Sequence, residues 1–386
     1  MIPAAASHRV QVLDGVRGLA ILMVLLLHCV HLSPTNGIAV LINRAAGLGW
    51  LGVDLFFVLS GYLITGILLR ERGGPNYFRN FYARRALRIF PAYYFVLAVV
   101  FLTLPLLGDA GRYSATRAEF PYLLVYLQNW LRVVEGYGTG WPVFNHMWSL
   151  AIEEQFYLLW PLLVLIAPRS AFPRICLWLV GLAIFSKLVL LAAHAGWHAI
   201  YMSTTARVDA LAIGAWIATL QPGQIPGVRR WFKWAGVGGM MIFLAIGILG
   251  LTGNSRLAAA FGTTAGTFVF GWLLFAIHSH TLTPRLAHAL DLGALRWLGR
   301  YSYGIYLLHY PVYWPIAIVL SSQFGAVDPQ VLPNTANIAI GVLTVAVTLL
   351  LSVLMYRLIE APALRLKDRF YAGPPPQGRP AKGAGI

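Results

Sequence analysis

Charge is scarce in this sequence. Only 11% of its 386 residues are Asp, Glu, Lys or Arg, and the acids number just 13, too few to cover the surface of a water-soluble protein of this length. Cysteine is scarcer still. Cys29 and Cys176 each sit inside an apolar run, so a disulfide framework and a cysteine-based zinc site are excluded and both are read as packing residues. No internal repeat is visible, which weakens the case for a transporter built from duplicated halves. What fills the chain is hydrocarbon: 59% of residues are hydrophobic and the mean hydropathy is +0.69. Long apolar runs broken by short basic loops recur through nearly the whole length, which identifies an integral membrane protein.

The expected fold is all-α, one polytopic transmembrane helical bundle of about ten helices over residues 1–372, followed by a disordered, Pro/Gly-rich cytoplasmic tail at 373–386. The ten candidate spans are Val16 to Leu32, Leu51 to Leu69, Ile89 to Leu107, Trp148 to Ala167, Ile175 to Ala193, Val208 to Leu220, Trp234 to Leu251, Leu257 to Ile277, Trp297 to Leu320 and Ala336 to Tyr356. The sixth is short, which suits a tilted or partly re-entrant helix. The segment Gly108 to Met147 is expected to lie outside the membrane, with its apolar patch Tyr122 to Trp130 in the interface. If the N-terminus is inside, 22 of the 29 basic residues fall in inner loops and 6 in outer ones, with Lys187 inside a span. This asymmetry is what the positive-inside rule predicts, and it places both termini in the cytoplasm. The net charge of +16 thus has an explanation in membrane orientation, and no nucleic-acid partner is expected.

A charged side chain at mid-membrane costs at least ~2.5 to 3.5 kcal/mol on insertion scales, so each one is a candidate for function until a partner explains it. His28 lies 11 residues beyond Arg17, about 16 Å deeper along a helix. Asp54, Glu153, Glu154, Arg207 and Asp209 open their helices from the outer side, and His309 lies about 14 Å into the ninth. All are expected to converge on one buried polar chamber. Each also has a structural explanation. A lone histidine can satisfy a neighbouring helix, carboxylates at helix N-termini complement the dipole, Arg207 and Asp209 can pair with one another, and His309 can cap a kink at Pro311. On the inner side, Arg85 and Arg88 are spaced i, i+3 and share one helix face. That arrangement suits bidentate phosphate binding, although topological anchoring would also place them there.

Several stretches together resemble a known family. Leu13-Asp14-Gly15-Val16-Arg17-Gly18-Leu19-Ala20 running on to His28, Gly52-Val53-Asp54 continuing to Ser60-Gly61-Tyr62, and Arg85-x-x-Arg88 are similar to segments of the acyltransferase family 3 membrane proteins. So are Trp148-Ser149-Leu150-Ala151-Ile152-Glu153-Glu154-Gln155-Phe156-Tyr157, Arg207-Val208-Asp209 and Ser302-Tyr303-Gly304 running to His309, all in order between Gln11 and Leu366.

The resemblance implies a bacterial inner (plasma) membrane enzyme that takes an acyl group, most often acetyl, from cytoplasmic acyl-CoA and places it on a saccharide hydroxyl. The expected partners are the lipid bilayer, acyl-CoA as donor and a glycan acceptor, with no metal. His28 is expected to be the general base, with Arg17, Asp54 and Glu154 beside it in the catalytic group. Arg85 and Arg88, helped by Arg84, are expected to bind the phosphates of coenzyme A, while Glu153, Arg207, Asp209 and His309 are expected to face the acceptor. Relatives often carry an acid five positions after the first-helix histidine, where this chain has Ser33. If that acid tunes the histidine in those relatives, either Asp54 or Glu154 substitutes for it here or the reaction differs in detail. The alternative reading is a proton-coupled transporter or flippase that uses the same buried groups as a relay.

Overall fold

The structure, a computed structural model, describes residues 4–34, 36–138, 140–249, 251, 253–323 and 332–370. The expected tail at 373–386 lies outside the described residues. The only regular secondary structure among them is helical, as backbone groups in hydrocarbon require. The first half comprises α1 (Ala4–Cys29), α2 (Gly37–Gly47), α3 (Leu51–Glu71), α4 (Tyr77–Thr103), α5 (Ala110–Leu124), α6 (Gln128–Glu135), α7 (Trp148–Ile166) and α8 (Phe172–Ala192). It continues with α9 (Trp197–Met202), α10 (Thr204–Thr219), α11 (Ile225–Ile248), α12 (Thr263–His278), α13 (Pro284–Leu290), α14 (Gly293–Ser322), α15 (Asn334–Met355) and α16 (Ala361–Leu366).

Nine helical segments among the described residues are long and apolar enough to cross a membrane. The sixth expected span, α10, has 16 residues and falls short of that length, yet the packing counts it as a crossing. Gly18 of α1 meets Leu295 and Gly299 of α14, and ten residues further along each chain His28 meets His309. These two helices therefore run parallel, which the alternation of crossings permits only if α10 also crosses. Buried nearly throughout by α3, α8 and α12, α10 need not match the full hydrocarbon thickness.

Small residues set the distances between helices. A Cβ at Gly15 or Gly18 would lie 1.6 or 1.9 Å from the carbonyl oxygens of Leu290 and Leu295, and one at Gly299 would lie 1.9 Å from that of Asp14. In the same way Gly61 of α3 lies against Leu211 of α10, and Gly214 of α10 against Val58. Only glycine lets the backbones approach so closely, a common solution where lipid removes the hydrophobic drive between helices. Both cysteines are free and buried. The segment expected outside the membrane is itself helical. A buried Arg132–Glu119 pair, 2.5 Å apart, ties α5 to α6, and Tyr122, Val125, Leu127 and Trp130 stay exposed on its apolar patch.

This seam predicts a sharp contrast between two conservative substitutions. Gly61→Ala would force a Cβ to 2.0 Å from Leu211 O, whereas Gly181 of α8 has nothing within 4 Å of its Cβ position. We expect Gly61→Ala to lose about 1–3 kcal/mol and several degrees of thermal stability in detergent, and Gly181→Ala to leave the melting curve in place. Equal behaviour of the two would contradict the packing.

Candidate active site

Two chambers stack along the parallel pair α1 and α14. The first, about 240 Å³, is lined by Arg17, Arg85, Arg88, Glu153, Glu154 and Lys367 together with apolar residues of α3 and the tyrosines Tyr157 and Tyr303. The second, about 520 Å³, is lined by His28, His31 and His146 with many aromatic side chains. They share Val53 and Tyr306 as a common wall. Arg17 and His28 are 11 residues apart, close to three full turns, so both project from one face of α1, each into its own chamber.

Local bonds hold the cationic face in place. Tyr77 and Tyr82 at the start of α4 donate hydroxyl hydrogens to the carbonyls of Pro161 and Leu158 on α7, at 3.1 and 2.8 Å. Tyr303 of α14 donates to Ile89 O of α4 at 2.8 Å. Between these anchors Arg85 and Arg88 face the chamber, with Arg85 over the ring of Tyr157 at 5.2 Å. Arg84, one residue and 100° away, points elsewhere. It is buried, forms an ion pair with Glu71 and donates to Phe370 O at 3.1 Å. The structure therefore does not bring Arg84 to the expected phosphate site, and Arg17 and Lys367 stand there instead. Arg17 is held by Asp14 at 2.8 Å.

The second chamber contains a chain of imidazoles. His309 of α14 is fully buried and its Nδ1 lies 2.7 Å from Tyr306 O and 3.3 Å from Ile305 O. A carbonyl only accepts, so Nδ1 carries the hydrogen and Nε2 of the neutral ring is bare. That Nε2 is 3.2 Å from His28 Nδ1, which must then donate, and the Val24 carbonyl one turn back is a second acceptor beside the His28 ring. His28 Nε2 is left with a free lone pair. His146, in the turn Pro142–Met147, packs edge-on against His309 with ring centroids 4.6 Å apart and at a tilt against Tyr310 at 5.0 Å. Neither of its ring nitrogens makes a well-formed hydrogen bond, and the nearest candidates are the backbones of Tyr306 and Leu307. Tyr306 stands at the shared wall. Its hydroxyl donates to His146 O at 2.7 Å and lies 2.6 Å from Ser149 Oγ.

The expected single chamber is thus two, and the expected partners are redistributed. Glu153 and Glu154 lie with the arginines, not with His28. Asp54, Arg207 and Asp209 line neither chamber, and all three are buried. Arg207 pairs with Asp54 at 2.6 Å rather than with Asp209, which pairs with Lys187 at 2.6 Å. The remaining guanidinium nitrogens of Arg207 face aromatic rings, with its Cζ 4.9 Å from the centroid of Tyr201, 5.4 Å from Phe57 and 5.9 Å from Trp148. Since Trp148 and Tyr201 line the histidine chamber, this buried cluster forms its floor. Ser33 donates to Leu332 O at 2.7 Å, and the side chain bonded to His28 is His309 rather than Asp54 or Glu154. His146, Tyr306 and Lys367 were not among the expected site residues.

An all-α membrane bundle with a cationic chamber backed onto a histidine chamber defines the class. The family described as "Acyltransferase domain" matches residues 10–357, and the chain belongs to that family, acyltransferase family 3. It is 32% identical over 375 residues to "Putative peptidoglycan O-acetyltransferase YrhL" of Bacillus subtilis (strain 168), covering 91% of this chain and 54% of that protein. It is 30% identical over 369 residues to "Peptidoglycan O-acetyltransferase OatA" of Listeria monocytogenes (91% and 55%) and 27% identical over 379 residues to "O-acetyltransferase OatA" of Staphylococcus aureus (strain NCTC 8325 / PS 47; 91% and 56%). The chain spans about half the length of these curated relatives. No solved structure matches it.

The buried floor makes its own prediction. Arg207→Met would leave Asp54 charged and unpaired, a loss of about 3–5 kcal/mol. The double variant Arg207→Met with Asp54→Leu should regain most of it. Thermal unfolding in detergent measures both, and a single variant as stable as the wild type would contradict the pairing.

Proposed function

We propose that this protein is an inner-membrane O-acyltransferase that moves an acyl group, acetyl most often, from cytoplasmic acyl-CoA to a saccharide hydroxyl. The observation that carries this reading is the meeting of a cationic chamber and a bare imidazole nitrogen at one shared wall. Arg85, Arg88, Arg17 and Lys367 suit the phosphates of coenzyme A. The excess of basic residues on that side argues for the cytoplasm. Arg17 and His28 lie about 16 Å apart along α1, a length that an extended pantetheine arm covers, and the wall of Val53 and Tyr306 that the two chambers share is where the thioester would have to cross. The relatives named as peptidoglycan O-acetyltransferases support a cell-envelope glycan as acceptor.

In this reading an acceptor hydroxyl in the second chamber donates a hydrogen bond to His28 Nε2. As its oxygen attacks the thioester carbonyl carbon, the imidazole takes the proton. The His28–His309 hydrogen bond holds the ring in the tautomer that can do so and stabilises the imidazolium formed. The tetrahedral intermediate collapses with cleavage of the carbon–sulfur bond, and the proton passes from His28 to the departing thiolate. Asp54 and Arg207 keep the chamber floor rigid and stay out of the chemistry.

His28→Ala should lower turnover about 10²- to 10⁴-fold at unchanged membrane abundance. His309→Ala should lower kcat about tenfold or more with KM for acetyl-CoA intact, and His309→Gln, whose side-chain oxygen can accept from His28 Nδ1, should recover part of it. Steady-state kinetics in nanodiscs checks this, and full activity in His28→Ala would exclude the base. Separately, Arg85→Ala and Arg88→Ala should each raise KM for acetyl-CoA about 10- to 100-fold, the loss of a charge-assisted hydrogen bond, whereas Arg84→Ala should leave it unchanged. Val53→Trp should retain acetyl-CoA binding yet abolish transfer. A Val53→Trp protein with normal turnover would rule out passage at that wall.

A further inference from the structure

The two chambers differ completely in charge. The cationic one carries six formally charged side chains. The histidine chamber is about twice as large, yet no Asp, Glu, Lys or Arg lines it among the described residues. Its polar groups are imidazoles, tyrosine hydroxyls and the amides of Asn145 and Asn254, and nine of its lining residues are Trp or Tyr. Resting on the acyl-transfer reading above, we propose that this chamber is a binding site for an uncharged pyranose, seated on aromatic faces, and that it rejects acceptors with a carboxylate or phosphate near the reacting hydroxyl.

A pyranose presents one face of C–H bonds ringed by hydroxyls. An aromatic ring covers the C–H face, and neutral donors and acceptors around it take the rim. The chamber supplies both, and its aromatic surface is fixed from below. Trp148 and Tyr201 rest on the guanidinium of Arg207, and the Tyr201 hydroxyl donates to Trp50 O at 3.3 Å. Near these rings Tyr137, 46% exposed, leans on Trp197 with ring centroids 5.7 Å apart, a platform open to an arriving sugar.

The missing charge also has a chemical reason. An anion entering here would shed its hydration and find no fixed cation. The only way to offer it one is to protonate the imidazoles, which would fill the lone pair of His28 on which the reaction depends. A chamber that bound anions well would therefore disable its own base. Excluding fixed charge keeps His28 neutral and selects a neutral acceptor by the same means.

The test uses two probes with the same ring and nearly the same bulk, N-acetylmuramic acid and its methyl ester, titrated by tryptophan fluorescence against the full chain in nanodiscs. The ester should bind saturably in the millimolar range and the acid at least about tenfold more weakly. Trp197→Ala should lose the response to the ester, and Asn145→Lys should reverse the preference toward the acid. Acetyl-CoA binding by the same preparations reports that each variant is folded. Equal affinity for acid and ester, preference of the wild type for the acid, or no saturable binding of either would overturn the proposal. Ester binding without any acetyl-CoA binding would instead overturn the acyl-transfer reading and leave the sugar site standing.

Discussion

The hydrogen bond between His28 and His309 is the contact on which the site depends, and it exists because two helices are allowed to touch. At one end of the α1–α14 seam Gly18 and Gly299 bring the backbones together. About ten residues along, that closeness leaves two imidazoles 3.2 Å apart. A side chain at either of those glycines would push the helices apart and open the histidine contact along with the wall between the chambers. The direction of the hydrogen bond is set further along α14, where the Tyr306 carbonyl claims the only hydrogen of a neutral His309. A backbone carbonyl therefore fixes the tautomer of a side chain on another helix.

Polar groups inside a membrane bundle must be paired, or else face a cavity that water or substrate can fill. This chain does both, in separate places. Asp54 with Arg207 and Asp209 with Lys187 are buried pairs between α3, α8 and α10, and the free faces of Arg207 are covered by aromatic rings. Arg17, Arg85, Arg88, Glu153, Glu154 and Lys367 line one chamber, and neutral polar groups line the other. Such segregation suits a reaction between a polyanionic donor and a neutral acceptor that meet at one wall.

Much of this was legible in the sequence. Apolar runs mark all ten crossings, and the i, i+3 spacing of Arg85 and Arg88 places both on one face. Sequence gives depth along a helix but not which neighbour a side chain meets. Arg207 and Asp209 are close in sequence, yet each finds its partner on another helix. Arg84 looks like a member of the arginine cluster until the 100° turn between successive residues is considered. Depth itself went astray on α7. The turn Pro142–Met147 extends that span by six residues, which carries Glu153 and Glu154 further inward than a helix starting at Trp148 would and brings His146 into the bundle. The absence of an acid at position 33 points to Asp54 or Glu154 as its substitute, yet Asp54 pairs with Arg207 and Glu154 lines the cationic chamber. That the partner of His28 is His309 depends on the pairing of α1 with α14, which no local pattern encodes.

The central claim is that donor and acceptor enter from opposite chambers and meet beside His28. A cryo-electron microscopy structure of the full chain with a non-hydrolysable acetyl-CoA analogue tests it most directly. The account predicts the phosphates against Arg85 and Arg88, with the acyl carbonyl at the shared wall of Val53 and Tyr306, facing His28 Nε2. Phosphates bound on the histidine side, or an acyl group ending away from that wall, would contradict it.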